Sequence, residues 1–246
     1  MNKLLCAASA ALVLSGCATT YSVQPVAAAN QQVTYDHGTA LLMSKKDKGA
    51  VRVAPSSTEF QDRMGLAVVA FNDSQMPANL GPENVHVYTA AGLTVPVFTY
   101  EQLAREAKKK AAWAAFAVAL SGAANAYAAS QPTTVNTYGS AYGNRGYATY
   151  AAQTTVYNPA NAALANSINQ ANTNREMSQI SASLEATLSS LGNSILRTTT
   201  VEPGGAFGGT VVVGKPHFGK GEAQTLRVVV SFNGEDHEFS FNVGAS

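Results

Sequence analysis

The residues whose types could do chemistry are four histidines, one glycine-rich run and two lysine clusters. His37, His86, His217 and His237 stand far apart in the sequence. None has the His-Glu-x-x-His spacing that puts two imidazoles on one helix face for zinc. His237 adjoins Asp236, but neighbours on a strand point to opposite faces, so the two would not share a ligand. Each histidine is therefore expected to be structural or solvated. No Gly-x-Ser-x-Gly elbow raises a serine for nucleophilic attack. Gly204-Gly205-Ala206-Phe207-Gly208-Gly209 lacks the Lys-Ser/Thr that follows in a phosphate loop, and no helix opens after it, so it reads as a turn into a strand. Gly214-Lys215-Pro216 fails for a similar reason, since Pro216 has no amide hydrogen to offer. Lys45-Lys46-Asp47-Lys48 reads as a solvated turn between strands rather than a headgroup site. Lys108-Lys109-Lys110 borders a long uncharged stretch. It marks the place where a helical element emerges into water, with a phosphate surface as the alternative. These residues predict no catalytic residue, no metal site and no cofactor, and the chain is not expected to be an enzyme.

The elements that hold these residues follow from composition and pattern. The chain has 246 residues, 46% of them hydrophobic and only 13% charged, with a formal net charge of +1. A nucleic-acid partner is excluded as an expectation, because phosphate neutralisation needs a basic field. Residues 1–16 read as an export signal: Lys3 supplies the positive start, and residues 4–14 form an apolar run too short to span a bilayer. Leu14-Ser15-Gly16-Cys17 then resembles the lipobox of bacterial lipoproteins. The resemblance covers about the first 20 residues. It implies cleavage between Gly16 and Cys17, a diacylglycerol on the Cys17 sulfur, and acylation of the new amino group, palmitate being a typical chain. Several chains together anchor stably where one holds only marginally. Ala18 and Thr19, rather than Asp, follow the cysteine, which by the same resemblance implies the outer membrane. Cys6 leaves with the signal, so the mature chain keeps no thiol for a disulfide or a cysteine metal site.

Residues 17–34 are small, polar and uncharged around Pro25 and read as a flexible lipidated tether. Residues 35–98 alternate β-branched and apolar residues with turn signals such as Asn72-Asp73-Ser74 and Leu80-Gly81-Pro82. Residues 198–246 do the same, and Asn233-Gly234 between two apolar runs is a strong hairpin signal. Neither block alone is large, so the expected fold is α+β: an immunoglobulin-like antiparallel β-sandwich built from both ends of the chain, with a long α-helical hairpin inserted. Two separate β-domains are the alternative.

The insertion spans residues 99–197. Thr99 and Gln102 fit a capping box for a helix over about 100–129, ending at Gln131-Pro132. Asn158-Pro159 opens a second helix over about 159–196, with Leu164, Ile168, Ala171, Ile180, Leu184, Leu188, Leu191 and Ile195 as its apolar stripe. On the first helix Trp113, Phe116, Leu120 and Tyr127 fall on one stripe, and Ala111, Ala115, Ala119, Gly122 and Ala126 on another. The connector 131–157 carries Tyr138, Tyr142, Tyr147, Tyr150 and Tyr157 among small residues. It reads as a mobile loop, with a β-ribbon as the alternative. From 111 to 174 the only charged residue is Arg145. A helix apolar on every side is covered by something: the sandwich of the same molecule first, then another copy or partner, then lipid. The sequence thus predicts a lipid-anchored envelope protein with a structural or protein-interaction role. Its partners would be the membrane through Cys17, and a further copy or another envelope protein through 111–196. The candidate contact residues are Trp113, Phe116, Leu120, Tyr127, Tyr138, Tyr142 and Tyr147. A ligand- or glycan-binding module that stacks sugars on exposed tyrosines is the alternative.

Overall fold

The computed structural model describes residues 20–29, 31–36, 39–129, 131, 133–143, 146–156, 159–218 and 224–245. The expected signal segment, the lipobox-like run with Gly16 and Cys17, His37 and Asn158 lie outside the described residues. The chain is mixed α+β with antiparallel sheets, and it divides into two compact units. One comprises residues up to Leu103 and from Leu191 onward, the other Ala104–Ser190.

The first unit, the body, holds fourteen of the strands: β1 (Tyr21–Val26), β2 (Gln32–Asp36), β3 (Thr39–Lys45), β4 (Gly49–Pro55), β5 (Glu59–Phe60), β6 (Arg63–Asn72), β7 (Ala78–Leu80), β8 (Val85–Thr89), β9 (Thr94–Val95), β10 (Val97–Phe98), then β13 (Thr199–Val201), β14 (Ala206–Gly214), β15 (Thr225–Phe232) and β16 (Glu235–Ala245). One six-stranded sheet runs β5-β1-β16-β15-β8-β9 and the other β10-β14-β6-β4-β3-β2, while β13 pairs with β7 in a small third sheet. Strands from both ends of the chain interleave in each large sheet, which sets aside the alternative of two separate β-domains. The period-2 pattern explains why. On β6 Met64, Leu66, Val68, Ala70 and Asn72 are buried and the residues between are not; on β15 and β16 Leu226, Val228, Val230 and Phe232 with Phe239, Phe241 and Val243 do the same. These inward sets join in one hydrophobic cluster. The β15–β16 turn has Asn233 at φ 57° and Gly234 at φ 79°. Positive φ at both central residues is what a type I′ turn needs, and it matches the right-handed twist of the strands.

Residues 17–34 are not a tether throughout. Tyr21–Val26 is β1, paired with β16 from Tyr21↔Ala245 to Val26↔Ser240, and Val23 lies in the core at 2% exposure. The Tyr21 ring stacks on Phe60 at 5.4 Å, and Lys215 Nζ sits 5.1 Å from its centre. The segment is strand because Val23 has an apolar seat and the β16 backbone would otherwise be an open edge. That benefit comes from residues more than 200 positions away and leaves no local signal.

The second unit, the arm, contains most of α1 (Tyr100–Ala129), then β11 (Thr133–Gly143) and β12 (Gly146–Val156), and most of α2 (Pro159–Ser194). The expected capping box forms at the start of α1: Thr99 N–H donates to Gln102 Oε1 at 2.9 Å, and Gln102 N–H to Thr99 Oγ1 at 3.4 Å. The connector is not a loop. β11 and β12 pair in an antiparallel ribbon, from Thr133↔Val156 to Gly143↔Gly146. Alternating small and β-branched residues without charge are compatible with a long two-stranded pairing.

Candidate functional site

The candidate contact surface is built on the arm. Along α1 the half-buried positions are Ala107, Ala111, Ala115, Val118, Gly122 and Ala126. Along α2 they include Ala165, Asn169, Thr173, Met177, Ile180, Leu184 and Leu188. Steps of three and four residues put each set on one face of its helix. The two faces meet where a Cβ added to Gly122 would come within 2.7 Å of Thr173 Oγ1, so the glycine is what lets the helices approach there. Elsewhere the helices leave a cleft of about 490 Å³, lined by Ala107, Ala111, Val118, Ile180, Leu184 and Thr187 among others.

Of the two α1 stripes, the small one is half-buried at Ala111, Ala115, Gly122 and Ala126, with Val118 in place of the exposed Ala119, and the aromatic one is exposed. Trp113 is 68% exposed, Phe116 59%, Leu120 61% and Tyr127 70%. Trp113 and Phe116 lie edge to face at 6.0 Å. Within the arm no described residue covers this stripe. The first half of α2 also departs from the expected stripe: Leu164 and Ile168 are 62% and 52% exposed, while Ala165, Asn169 and Thr173 take the covered side. Close approach at Gly122 selects small partners such as Thr173, and the bulky residues one position away are turned out.

The ribbon brings three predicted tyrosines together. Tyr142 pairs directly with Tyr147, and Tyr138 lies four residues from Tyr142 on the same strand, so the register assigns all three to one face. Tyr138 is 78% exposed. By length and composition α1 could cross a membrane, and its apolar window is unburied.

Outside the arm, sequence reasoning missed a polar contact in the body. His237 is fully buried, and its Nδ1 shares a 3.1 Å hydrogen bond with Ser44 Oγ across the two large sheets. Nε2 has no hydrogen-bond partner among the described residues. Burial, chiefly, and the charge of Lys46 hold this imidazole below the ordinary value of 6.5, against the opposing pull of Glu235, Ser44 and Asp236. A serine and a histidine in contact suggest nucleophile and base, but here both are in the packed interior, and no described cleft opens on them. They join the sheets. The two residues are 193 positions apart, so no spacing could have signalled the pair. His86 and His217 are exposed. Among the described residues no three His, Cys, Asp or Glu side chains gather as metal ligands.

The glycine-rich run also serves packing. A Cβ on Gly209 would fall 2.8 Å from Leu196 Cα, where Leu196 N–H donates to the Thr210 carbonyl at 2.8 Å, so a side chain there would displace backbone. Lys45-Lys46-Asp47-Lys48 is the β3–β4 turn and lies beside the Asn233-Gly234 hairpin, where Asn233 Nδ2 donates to the Lys48 carbonyl at 3.1 Å. Comparison with protein-family models, curated proteins and solved structures finds no match to this chain.

Proposed function

We propose that the chain is a lipid-anchored protein of the bacterial cell envelope, held at the outer membrane through Cys17. Its body is an immunoglobulin-like sandwich, and a helical hairpin carrying the ribbon makes contacts with other proteins. The observation that carries this reading is the arm: Trp113, Phe116, Leu120 and Tyr127 stand 59–70% exposed within a stretch, 111–174, whose only charge is Arg145. Soluble proteins rarely leave so much contiguous apolar surface in water unless it meets a partner or a membrane. The fold adds a constraint on the anchor. Only Ala18, Thr19 and Thr20 separate Cys17 from β1. At about 3.5 Å per residue, the lipidated residue stays within about 14 Å of Tyr21. The end of the body with Tyr21, Phe60 and Lys215 then lies near the headgroups. The Lys45–Lys48 turn belongs to the opposite end, since β16 runs from Glu235, beside that turn, to Ala245, opposite Tyr21.

Metabolic labelling with palmitate, followed by separation of inner and outer membranes, tests the anchor. The wild-type chain should take label and sediment with the outer membrane, and Cys17→Ser should do neither. A photo-crosslinking residue in place of Phe116 should give a discrete adduct in cells. An unlabelled wild-type chain defeats the anchor, and absence of any adduct at 116 defeats the contact surface.

A further inference from the structure

We infer that copies of this chain close into a ring in which the β11–β12 ribbons form one transmembrane β-barrel, a pore lined by polar side chains. The inference rests on the lipid-anchored reading only for which membrane is crossed. Within the chain, β11 and β12 pair only with each other among the described strands, so each strand presents one backbone edge to a neighbour. A lone two-stranded ribbon is marginal in water, and an open edge recruits another strand. In lipid an open edge is forbidden, because unpaired amides there have no water. A second copy satisfies both demands. β12 of one molecule set antiparallel to β11 of the next keeps the up-and-down order, and the same contact repeated closes a ring.

The ribbon has the length and pattern for it. Each strand has 11 residues, and a membrane strand tilted by about 45° needs about 9–11. Neither strand carries a charge, and Arg145 falls between them. The register separates the residues into two sets. Thr134, Asn136, Tyr138, Ser140 and Tyr142 share a face with Thr155, Gln153, Ala151, Thr149 and Tyr147, and Asn136 is paired directly with Gln153. The other face holds Val135, Ala141, Ala148, Ala152 and Val156 with Tyr150, glycines and Thr133, Thr137 and Thr154, and carries no Asn, Gln or Ser. This is the alternation of polar lumen and apolar lipid face that barrels show. Each copy supplies two strands, so the smallest barrels of about eight strands require about four copies.

The same occupant accounts for the helices. Among the described helices only α1 is apolar enough to cross a membrane, but α2 approaches it at Gly122–Thr173, and Arg175 and Glu176 lie two and three residues beyond Thr173. Burying the pair of helices would carry both charges into hydrocarbon, which is costly. The helices therefore stand outside the bilayer, and their exposed stripe, Trp113, Phe116, Leu120, Tyr127, Leu164 and Ile168, packs against neighbouring copies.

Purified full-length protein, extracted in mild detergent and added to planar bilayers of phosphatidylethanolamine and phosphatidylglycerol, tests the pore. Uniform conductance steps are expected. Two adjacent substitutions separate the faces. Ser140→Lys, in the polar set, should keep the steps and move the reversal potential in a salt gradient towards anion selectivity. Ala141→Lys, in the apolar set, should lower the frequency of insertion at least tenfold while the body still melts at the wild-type temperature. Absence of steps from the wild type, or equal tolerance of both lysines, overturns the barrel. Cys17→Ser separates this from the anchor: steps from that variant with no palmitate label in cells uphold both proposals, and a labelled wild type without steps overturns the barrel alone.

Discussion

Asn72 ends β6 fully buried, and its amide closes a network of five hydrogen bonds. Nδ2 donates to the carbonyls of Met76 at 2.8 Å and Val201 at 2.9 Å. Oδ1 accepts from Ser74 N at 3.1 Å, Ser74 Oγ at 2.8 Å and Asn233 Nδ2 at 3.1 Å. One side chain thus ties the turn after β6 to β13 and to the β15–β16 hairpin. Asn72→Ala should cost about 2–4 kcal/mol, because each buried group left unpaired costs about 1–3 kcal/mol and the exposed members of the network recover water. For a body of this size that is a fall of roughly 5–15 °C in Tm. Asn72→Asp is the sharper test. It keeps the three acceptor contacts but turns a carboxylate oxygen towards two carbonyls, so at neutral pH it should destabilise at least as much as alanine. It should regain stability in acid, when the protonated oxygen can donate once. Asn79→Ala, which removes only an exposed bond with Thr200, should change stability by less than about 0.5 kcal/mol. Calorimetry of the unlipidated Cys17→Ser chain measures all three. Tryptophan fluorescence is unsuitable, since the single tryptophan, Trp113, reports on the arm. If Asn72→Asp proved milder than Asn72→Ala at neutral pH, the assignment of Nδ2 as the buried double donor would be wrong.

His237 makes body stability depend on pH in one direction. Its folded value lies below the unfolded 6.5, so the unfolded chain binds the proton first. Stability is fully present above 6.5, declines as pH falls through the window down to the lowered folded value, and then levels off. His237→Gln, which can still bond Ser44, should flatten the denaturant midpoint between pH 7 and 5; an unchanged slope would place the titration elsewhere. Val23→Asp should unfold or severely destabilise the body in urea melts, because it buries a charge at 2% exposure, whereas a residue on a free tether would tolerate it.

Most of the body could be read from alternation alone. Leu66, Val68 and Ala70, or Phe239, Phe241 and Val243, declare an inner face, and Asn233-Gly234 declares the turn that sets the register of its hairpin. β1 could not be read this way. Its residues, Tyr-Ser-Val-Gln-Pro-Val, carry one proline and little apolar weight, and their strand conformation is imposed by the β16 edge and by Phe60. β7 was equally silent, and although the β-branched run 198–201 marks β13 as a strand, nothing local names its partner: Asn72 reaches the Val201 carbonyl across 129 positions. Local pattern specifies which face a strand buries. It does not specify whether a weakly patterned segment finds an edge to pair with.

The arm shows the complementary limit. Thr99, Gln102 and Pro159 fixed where the helices begin, because caps are local chemistry. Which side of each helix is covered was not local. On α1 the larger apolar stripe would have gained more from burial, roughly 1.5–3 kcal/mol for a fully buried large apolar side chain against less than about 1 for an alanine methyl. Yet the small stripe meets α2, since α2 opposite it offers Ala165, Asn169 and Thr173, and only Gly122 and alanines allow helices to come that close. A chain that spends its intramolecular contact on alanines and leaves Trp113, Phe116 and Leu120 outside has its larger gain still to make. Within the arm no described residue provides it, and that unmet gain is what supports the intermolecular contact proposed above.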